Sequence, residues 1–289
     1  MGDKDTISGK TEIYAIIGNP VTHSLSPLIH NSAFQHQNLD KVYIALPAGV
    51  EQLALATEMV RSFHIKGLNV TMPLKEAILP YLDKLSPEAA SIGAVNCVKN
   101  SGGFLTGYNT DSTGFGLSIQ ENRGAYPSSA FLFGAGGAAK AIAVHLVLQG
   151  IDRLYITNRN VQRAGALGAQ LLALGQTKVQ VLPWDTATWA PYFCQCELVI
   201  NATALGMKRV GDLGALLPWA SLAKGTIIYE TVYEPLCTSL MKQAGDLGFT
   251  VIPGTELLLY QAADAYQIWT GGTAPLAVMR QAMEKAFRR

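Results

Sequence analysis

The stretch that most constrains this chain is Ala130 to Ala139, which reads AFLFGAGGAA. Apolar, strand-like residues run straight into Gly134-Ala135-Gly136-Gly137-Ala138-Ala139, and an apolar, helix-forming stretch follows to about Gly150. Gly134, Gly136 and Ala139 match the spacing G-x-G-x-x-[GA] between a strand and a helix. Each small residue has a physical task. The first allows a tight turn, the second lets backbone approach a diphosphate, and the third lets helix pack on strand. The start of the helix adds N–H groups and the positive end of its dipole. The pattern predicts a βαβ dinucleotide-binding unit, with Gly134, Ala135, Gly136, Gly137 and Ala138 as cofactor-binding positions. A purely structural tight turn is the competing reading.

The flanking pattern fits such a unit. Strands are expected at Arg153–Thr157, Lys178–Leu182, Leu198–Ile200 and Thr226–Tyr229, with a helix at Val161–Leu174. Upstream, strands are expected at Ile13–Ile17, Val42–Leu46 and Gly67–Val70. Helices are expected from Pro27 to about Gln37 (Ser26 as N-cap), over Glu51–Phe63, and from Pro73. Helices and strands alternate, which predicts an α/β fold with mostly parallel pairing. A switch falls near residue 111, after which Gly114 and Gly116 are expected to open a helix toward Asn122. Two last helices are read at Glu256–Trp269 and Ala274–Phe287. The organisation predicted is two-domain. An N-terminal α/β substrate domain covers 1–111, with 1–11 as a mobile arm. A Rossmann-type doubly wound domain covers 112–253, and helices in 254–289 return to the first domain.

Composition excludes several classes. With 289 residues, 49% of them apolar, the chain can bury a sizeable core. A net charge of +1 leaves no basic stripe for nucleic acid. No run of about 18 apolar residues suggests a membrane span. Residues 1–11 lack the apolar core of a signal peptide, so a cytoplasmic protein is expected. Gly2 and Thr6 fit a myristoylation pattern that recurs by chance. Cys97, Cys194, Cys196 and Cys237 make no disulfide framework, and the C-x-C pair Cys194 and Cys196 reads as buried thiols rather than a zinc site, so no metal is expected.

The strand after the glycine loop bears on the choice of cofactor. An NAD site wants an acid about 20 residues on, bonded to the ribose 2′-hydroxyl. Here the strand ends in Asn158-Arg159, with Arg163 one turn into the next helix and no carboxylate. A guanidinium can pair with a 2′-phosphate instead, which favours NADP. A solvated helix start would show the same arginines. In the first domain, uncharged donors and acceptors gather at strand ends and loops: Ser24, Ser26, Asn69, Thr71, Asn96 and Asn109, with Lys75 and Asp111 as the charged members. Such a set suits a neutral, hydroxylated ligand carrying one carboxylate.

At these residues the chain resembles the shikimate dehydrogenase family, across nearly its whole length. The matching stretches are Gly18 to Pro27, Asn69-Val-Thr-Met-Pro-Leu-Lys75, Gly93-Ala-Val-Asn96, Asn109-Thr-Asp111, Gly134 to Ala138, Asn158-Arg159, Asn201-Ala-Thr203, and Gln261 with Trp269-Thr-Gly271. The resemblance implies NADPH-dependent, reversible reduction of 3-dehydroshikimate to shikimate in aromatic amino-acid biosynthesis. It implies Lys75 and Asp111 as the catalytic pair, and Ser24 and Ser26 on the substrate carboxylate. Asn69, Thr71, Asn96 and Gln261 would contact ring hydroxyls, and Tyr233 would also reach the substrate. Arg159, Arg163, Asn158, Thr203 and Gly254 join the glycine loop as expected cofactor contacts. A monomer or homodimer is expected, with closure of a cleft between domains excluding water. The chemistry agrees: hydride delivery builds negative charge on a carbonyl oxygen, and an ammonium can stabilise and protonate it.

Some positions depart from the family pattern. Glu230-Thr231-Val232-Tyr233 stands where Asp-Met-Val-Tyr is usual, so the methionine expected against the nicotinamide is absent. Cys97 stands where threonine is common, Leu257 where methionine is frequent, and Glu256 where glycine is frequent. A solvated Glu256 side chain is expected, with a place near the pocket mouth as the competing reading. Two alternatives stay open: a quinate/shikimate dehydrogenase preferring NAD, and a non-catalytic ligand-binding relative.

Overall fold

The computed structural model describes residues 7–287. Residues 1–6, with the Gly2–Thr6 pattern and most of the expected arm, lie outside them. The described residues form strands β1 (Glu12–Gly18), β2 (Lys41–Pro47), β3 (Gly67–Val70), β4 (Lys84–Leu85), β5 (Cys97–Ser101), β6 (Phe104–Tyr108), β7 (Ser129–Phe133), β8 (Arg153–Thr157), β9 (Lys178–Leu182), β10 (Leu198–Asn201), β11 (Ile227–Glu230) and β12 (Thr250–Ile252). The helices are α1 (Ser26–His36), α2 (Leu53–Ser62), α3 (Leu74–Ala77), α4 (Pro87–Ile92), α5 (Thr110–Arg123), α6 (Gly137–Leu148), α7 (Val161–Leu172), α8 (Thr186–Phe193), α9 (Ser239–Asp246), α10 (Gly254–Thr270) and α11 (Leu276–Phe287).

The chain divides into two compact units, Met1–Thr110 with Leu259–Arg289, and Asp111–Leu258. In the second unit, a six-stranded sheet runs β12-β11-β10-β7-β8-β9. Every pairing in it is parallel. Relabelled from its first strand, the order is 3-2-1-4-5-6, the doubly wound arrangement of dinucleotide-binding sheets. The central strand β7 is buried at all five positions. A parallel strand covered on both faces must read as a continuous apolar run, as it does here. Phe131 and Phe133 stack on Phe193 and meet Trp189 edge-on, which fastens α8 over the sheet. Burial of side chains this size stabilises by roughly 2 kcal/mol each.

The first unit is mixed within the mostly parallel pairing expected. Its sheet runs β2-β1-β3-β5-β6-β4. β1 pairs parallel with β2 and β3, but β5 pairs antiparallel with both β3 and β6. The β5–β6 pairing is antiparallel because the Gly102-Gly103 pair, both at positive φ, turns β5 directly back into β6. The start of α1 also differs. Ser26 is the first residue of the helix and no side chain caps it. Likewise α5 begins at Thr110, with Gly114 and Gly116 inside it, because its start is capped from elsewhere in the fold. Among the described residues no helix is long and apolar enough to cross a membrane.

Candidate active site

In the first unit, the candidate residues sit where the parallel strands β1 and β3 end, the edge at which open α/β sheets bind ligands. The loops after β1 and β3 are tied together, with Asn19 N–H donating to the Met72 carbonyl at 3.0 Å and Thr71 N–H to the Ile17 carbonyl at 2.9 Å. Ser24 is half-buried, and its hydroxyl oxygen accepts from Ser26 N–H at 3.2 Å. Ser26 is buried in the first turn of α1. Thr71 and Lys75 are half-buried, and the Lys75 carbonyl accepts from Val95 N–H at 2.8 Å. That bond fixes the short helix carrying Lys75 against the segment that carries Asn96. Gln261 is half-buried on α10. His23 is exposed.

A buried hydrogen-bonded chain joins several of these groups. Tyr43 donates its hydroxyl to Asn69 Oδ1 at 2.7 Å. Asn69 Nδ2 donates to the Asn96 carbonyl at 3.0 Å. Asn96 Oδ1 accepts Thr110 N–H at 2.6 Å, and Asn96 Nδ2 donates to Thr110 Oγ1 at 3.0 Å. Asn109 Nδ2 donates to the Ala94 carbonyl at 2.9 Å. Thr110 opens α5, so Asn96 supplies the missing helix cap one residue before the buried Asp111. Sequence reading named Thr110 only as part of Asn109-Thr110-Asp111 and missed Tyr43, because a strand tyrosine carries no local mark of its partner.

In the second unit, Gly134 has φ of +119°, and a Cβ there would stand 2.6 Å from the Ala202 carbonyl oxygen. Only glycine lets β7 turn so close to the loop after β10. Gly136, Gly137 and Ala138 are half-buried at the start of α6, and Ala135 is buried. A Cβ on Gly136 would meet nothing within 4 Å, so the helix start faces open space. Asn158 is half-buried and donates to the Asn160 carbonyl, while Arg159 and Arg163 are exposed. The Asn160 side chain caps α7 by accepting from Arg163 N–H at 3.0 Å. An open helix N-terminus after a close-packed glycine, with no acid at the end of β8, fits a dinucleotide bearing a 2′-phosphate.

Beside this loop lies a buried carboxylate. Glu230 ends β11 and is fully buried. Its oxygens accept from Asn201 Nδ2 at 2.8 Å, Val232 N–H at 2.9 Å and Thr238 Oγ1 at 2.9 Å. Burial pushes its pKa up to about 7, against the pull of these donors. Asn201 Oδ1 in turn accepts from Thr203 N–H and Thr203 Oγ1. Glu230 therefore fastens the loop carrying Thr203 to the one carrying Thr231 and Tyr233, and Gly254 is buried against the Val232 carbonyl. Its signal in sequence was a lone acid ending the apolar run Ile227-Ile-Tyr-Glu230. Tyr233 is half-buried, and burial raises its hydroxyl pKa.

Two side chains differ from expectation. Glu256 is buried, not solvated, at 9% exposure in the first turn of α10. The close packing of Gly254 on Val232 draws that turn inward. Burial raises the pKa of the Tyr229 hydroxyl, and the carboxylates of Glu256 and Asp111 push the same way. Of the four thiols, Cys97 and Cys196 are buried but Cys194 and Cys237 are exposed. Cys194 falls at the end of α8, past the residues that helix packs inward. Among the described residues no cluster of His, Cys, Asp or Glu could hold a metal ion.

Three family models match this chain: a shikimate dehydrogenase substrate binding domain over residues 16–98, shikimate / quinate 5-dehydrogenase over 120–210, and a shikimate 5′-dehydrogenase C-terminal domain over 254–284. A curated relative from Desulforamulus reducens, named shikimate dehydrogenase (NADP(+)), is 38% identical over 96% of this chain and 97% of its own. Among solved structures, shikimate 5-dehydrogenase from Listeria monocytogenes, in complex with shikimate and NAD, has a TM-score of 0.89 and 34% identity, covering 96% of this chain and 98% of that one. Quinate dehydrogenase from Corynebacterium glutamicum, in complex with NAD, has a TM-score of 0.87 and 28% identity, covering 95% and 99%. The glycine turn, the doubly wound sheet, the polar strand ends and similarity that runs the length of both chains agree, and the chain belongs to the shikimate dehydrogenase family.

Proposed function

We propose that this protein catalyses the reversible reduction of 3-dehydroshikimate to shikimate with NADPH, a step of aromatic amino-acid biosynthesis, in the cytoplasm. The observation that carries this reading is end-to-end identity of 38% to a relative named shikimate dehydrogenase (NADP(+)), in a chain that keeps Lys75, Asp111 and the amide set Asn69 and Asn96. Gly134 to Ala138 and the start of α6 hold the diphosphate, Arg159 and Arg163 the 2′-phosphate, and Asn158, Thr203 and Gly254 line the rest of the cofactor. Bound NADPH supplies the hydride, which is the difficult redox chemistry.

The chain's own residues do the rest. Ser24 and Ser26 hold the substrate carboxylate. Asn69, Thr71, Asn96, Gln261 and Tyr233 orient the hydroxylated ring. Lys75 donates its proton to the oxygen that gains charge in reduction, and takes it back from the hydroxyl in oxidation. The family resemblance pairs Asp111 with Lys75 as the group that orients the ammonium. No step needs a metal.

A second reading follows from the Listeria and Corynebacterium enzymes, both solved with NAD. One assay separates the two: reduced-nicotinamide absorbance with shikimate or quinate, each with NADP⁺ or NAD⁺. Fast reduction with shikimate and NADP⁺ alone is expected. Faster turnover with quinate or with NAD⁺ would replace the proposal by the second reading. Binding of NADP⁺ with no turnover of any pair would make the chain a non-catalytic member.

A further inference from the structure

Tyr43 is 1% exposed, and its hydroxyl lies against two residues proposed to touch a ligand, donating to Asn69 and meeting the Ser26 side chain. Its backbone is clamped to α1 at both ends of one side-chain amide. Asn31 Nδ2 donates to the Tyr43 carbonyl and Asn31 Oδ1 accepts Tyr43 N–H, each at 2.8 Å. Its ring lies on His30, with centroids 4.6 Å apart and planes 12° apart, and near Trp269 at 6.0 Å. Neither His30 ring nitrogen has a hydrogen-bond partner, and burial pulls the ring's pKa down to about 3. His30 is therefore a flat, neutral shelf that does not compete for the Tyr43 proton. Clamp and shelf together hold one hydroxyl 2.7 Å from Asn69 Oδ1.

The polarity of the Asn69 amide follows from its two partners. The Asn96 carbonyl can only accept, so the Asn69 NH₂ faces it. Asn69 Oδ1 then faces Tyr43, whose hydroxyl must donate. One anchor thus sits at each end of the amide. An amide has two N–H donors and here spends one on Asn96, so one N–H remains to offer. We infer that Tyr43 is a positioning residue: its hydroxyl locks the plane and polarity of the Asn69 amide, which makes Asn69 a fixed hydrogen-bond donor to a hydroxyl oxygen of the substrate. This rests on the proposed role of Asn69 in binding shikimate. With only the Asn96 anchor left, the amide can tilt, and binding must then include the cost of ordering it again.

Tyr43→Phe tests this, since it removes one oxygen and keeps the ring, the shelf and the clamp. The full-length variant is compared with wild type for shikimate KM, kcat, NADP⁺ dissociation constant and melting temperature. Shikimate KM is expected to rise about tenfold, the loss of roughly one well-placed hydrogen bond. NADP⁺ affinity is expected to stay unchanged. A merely structural role would lower the melting temperature and weaken both ligands together. In an Asn69→Leu background, Tyr43→Phe is expected to raise KM much less than it does in the wild type, because the amide it positions is gone and only its contact with the Ser26 side chain remains to be lost. A wild-type KM in folded Tyr43→Phe overturns the inference, as does failure of that variant to fold at any temperature. Failure of the activity reading appears elsewhere, as absent shikimate turnover in the wild type, and would overturn both.

Discussion

At the scale of single residues, the site is built from neutral hydrogen-bonding groups whose partners are fixed, with few charges among them. Asn69, Asn96 and Thr110 each spend part of their capacity on one another before any ligand arrives. Preorganised donors are worth more than mobile ones, because no ordering cost falls on the binding step. Lys75 is different: it is a charge on a half-buried turn, tied by its backbone to Val95. Lys75→Ala is expected to lower turnover by about 10²- to 10⁴-fold, the usual range for a lost general acid. Melting temperature and the NADP⁺ dissociation constant should stay close to wild type. Steady-state kinetics beside fluorescence titration checks this, and undiminished turnover would remove Lys75 from the proton-transfer role. The type of each polar residue was readable in the sequence. Its partner was not, because Tyr43 and Asn69 stand 26 positions apart and meet only across a sheet.

At the scale of elements, the turn from β7 into α6 joins a backbone constraint to the proposed cofactor site. Gly134→Ala would force an L residue to φ of +119° and press a Cβ to 2.6 Å from the Ala202 carbonyl oxygen. Strain of that kind costs about 1–3 kcal/mol. The variant should melt several degrees lower and bind NADP⁺ more weakly, and a wild-type melt with wild-type affinity would show that the turn tolerates a side chain. The turn from β8 into α7 carries Arg159, a proposed contact to the 2′-phosphate. Removing an arginine that pairs with a 2′-phosphate costs about 1.5–3 kcal/mol. Arg159→Ala should therefore weaken NADP⁺ roughly 10- to 100-fold and leave NAD⁺ unchanged, as read by titration of both. Equal losses for the two cofactors would place the guanidinium away from the phosphate. The strands of the nucleotide unit were legible because buried parallel strands leave continuous apolar runs. The β5–β6 hairpin was missed although Gly102-Gly103 marked it, since the short strands around that pair mix polar and apolar residues. The start of α5 was misplaced for another reason: its cap is Asn96, 14 residues upstream.

At the scale of the whole molecule, buried titratable groups set how stability depends on pH. Burial lowers the His30 pKa from 6.5 to about 3. The unfolded chain thus takes that proton first on acidification, and stability is lost as pH falls from about 6.5 toward 3. The slope reaches about 1.4 kcal/mol per pH unit. His145, lowered to about 4 by burial, acts in the same sense. Glu230 acts in the opposite sense. Burial raises its pKa from 4.5 to about 7, so the folded chain takes the proton first and stability is gained as pH falls from about 7 to 4.5. The opposing slopes partly cancel between about 6.5 and 4.5; below that Glu230 no longer opposes the histidines, and Glu12, Asp83 and Glu197, whose pKa values are lowered by hydrogen bonds to Lys41, Arg61 and Ser128, act in the same sense as they do. His30→Phe keeps an aromatic ring of similar size under Tyr43 but removes one titration. Its stability relative to wild type should be constant above pH 7 and rise steadily below pH 6.5. Urea midpoints at pH 8, 7, 6 and 5 measure this, and a difference independent of pH would mean that His30 is not buried neutral.

The sequence by itself determined the α/β class, the doubly wound nucleotide unit and the chemical character of the candidate site. These follow from short-range facts: the period of apolar residues, a glycine loop between strand and helix, and polar residues placed where strands stop. Tertiary structure alone decided which way the Asn69 amide points, what caps α5, and that Glu230 and Glu256 are buried. Each of these depends on partners brought together by packing from distant parts of the chain. A local pattern can name a donor or an acid, but only the assembled fold supplies the group it meets and the water it loses.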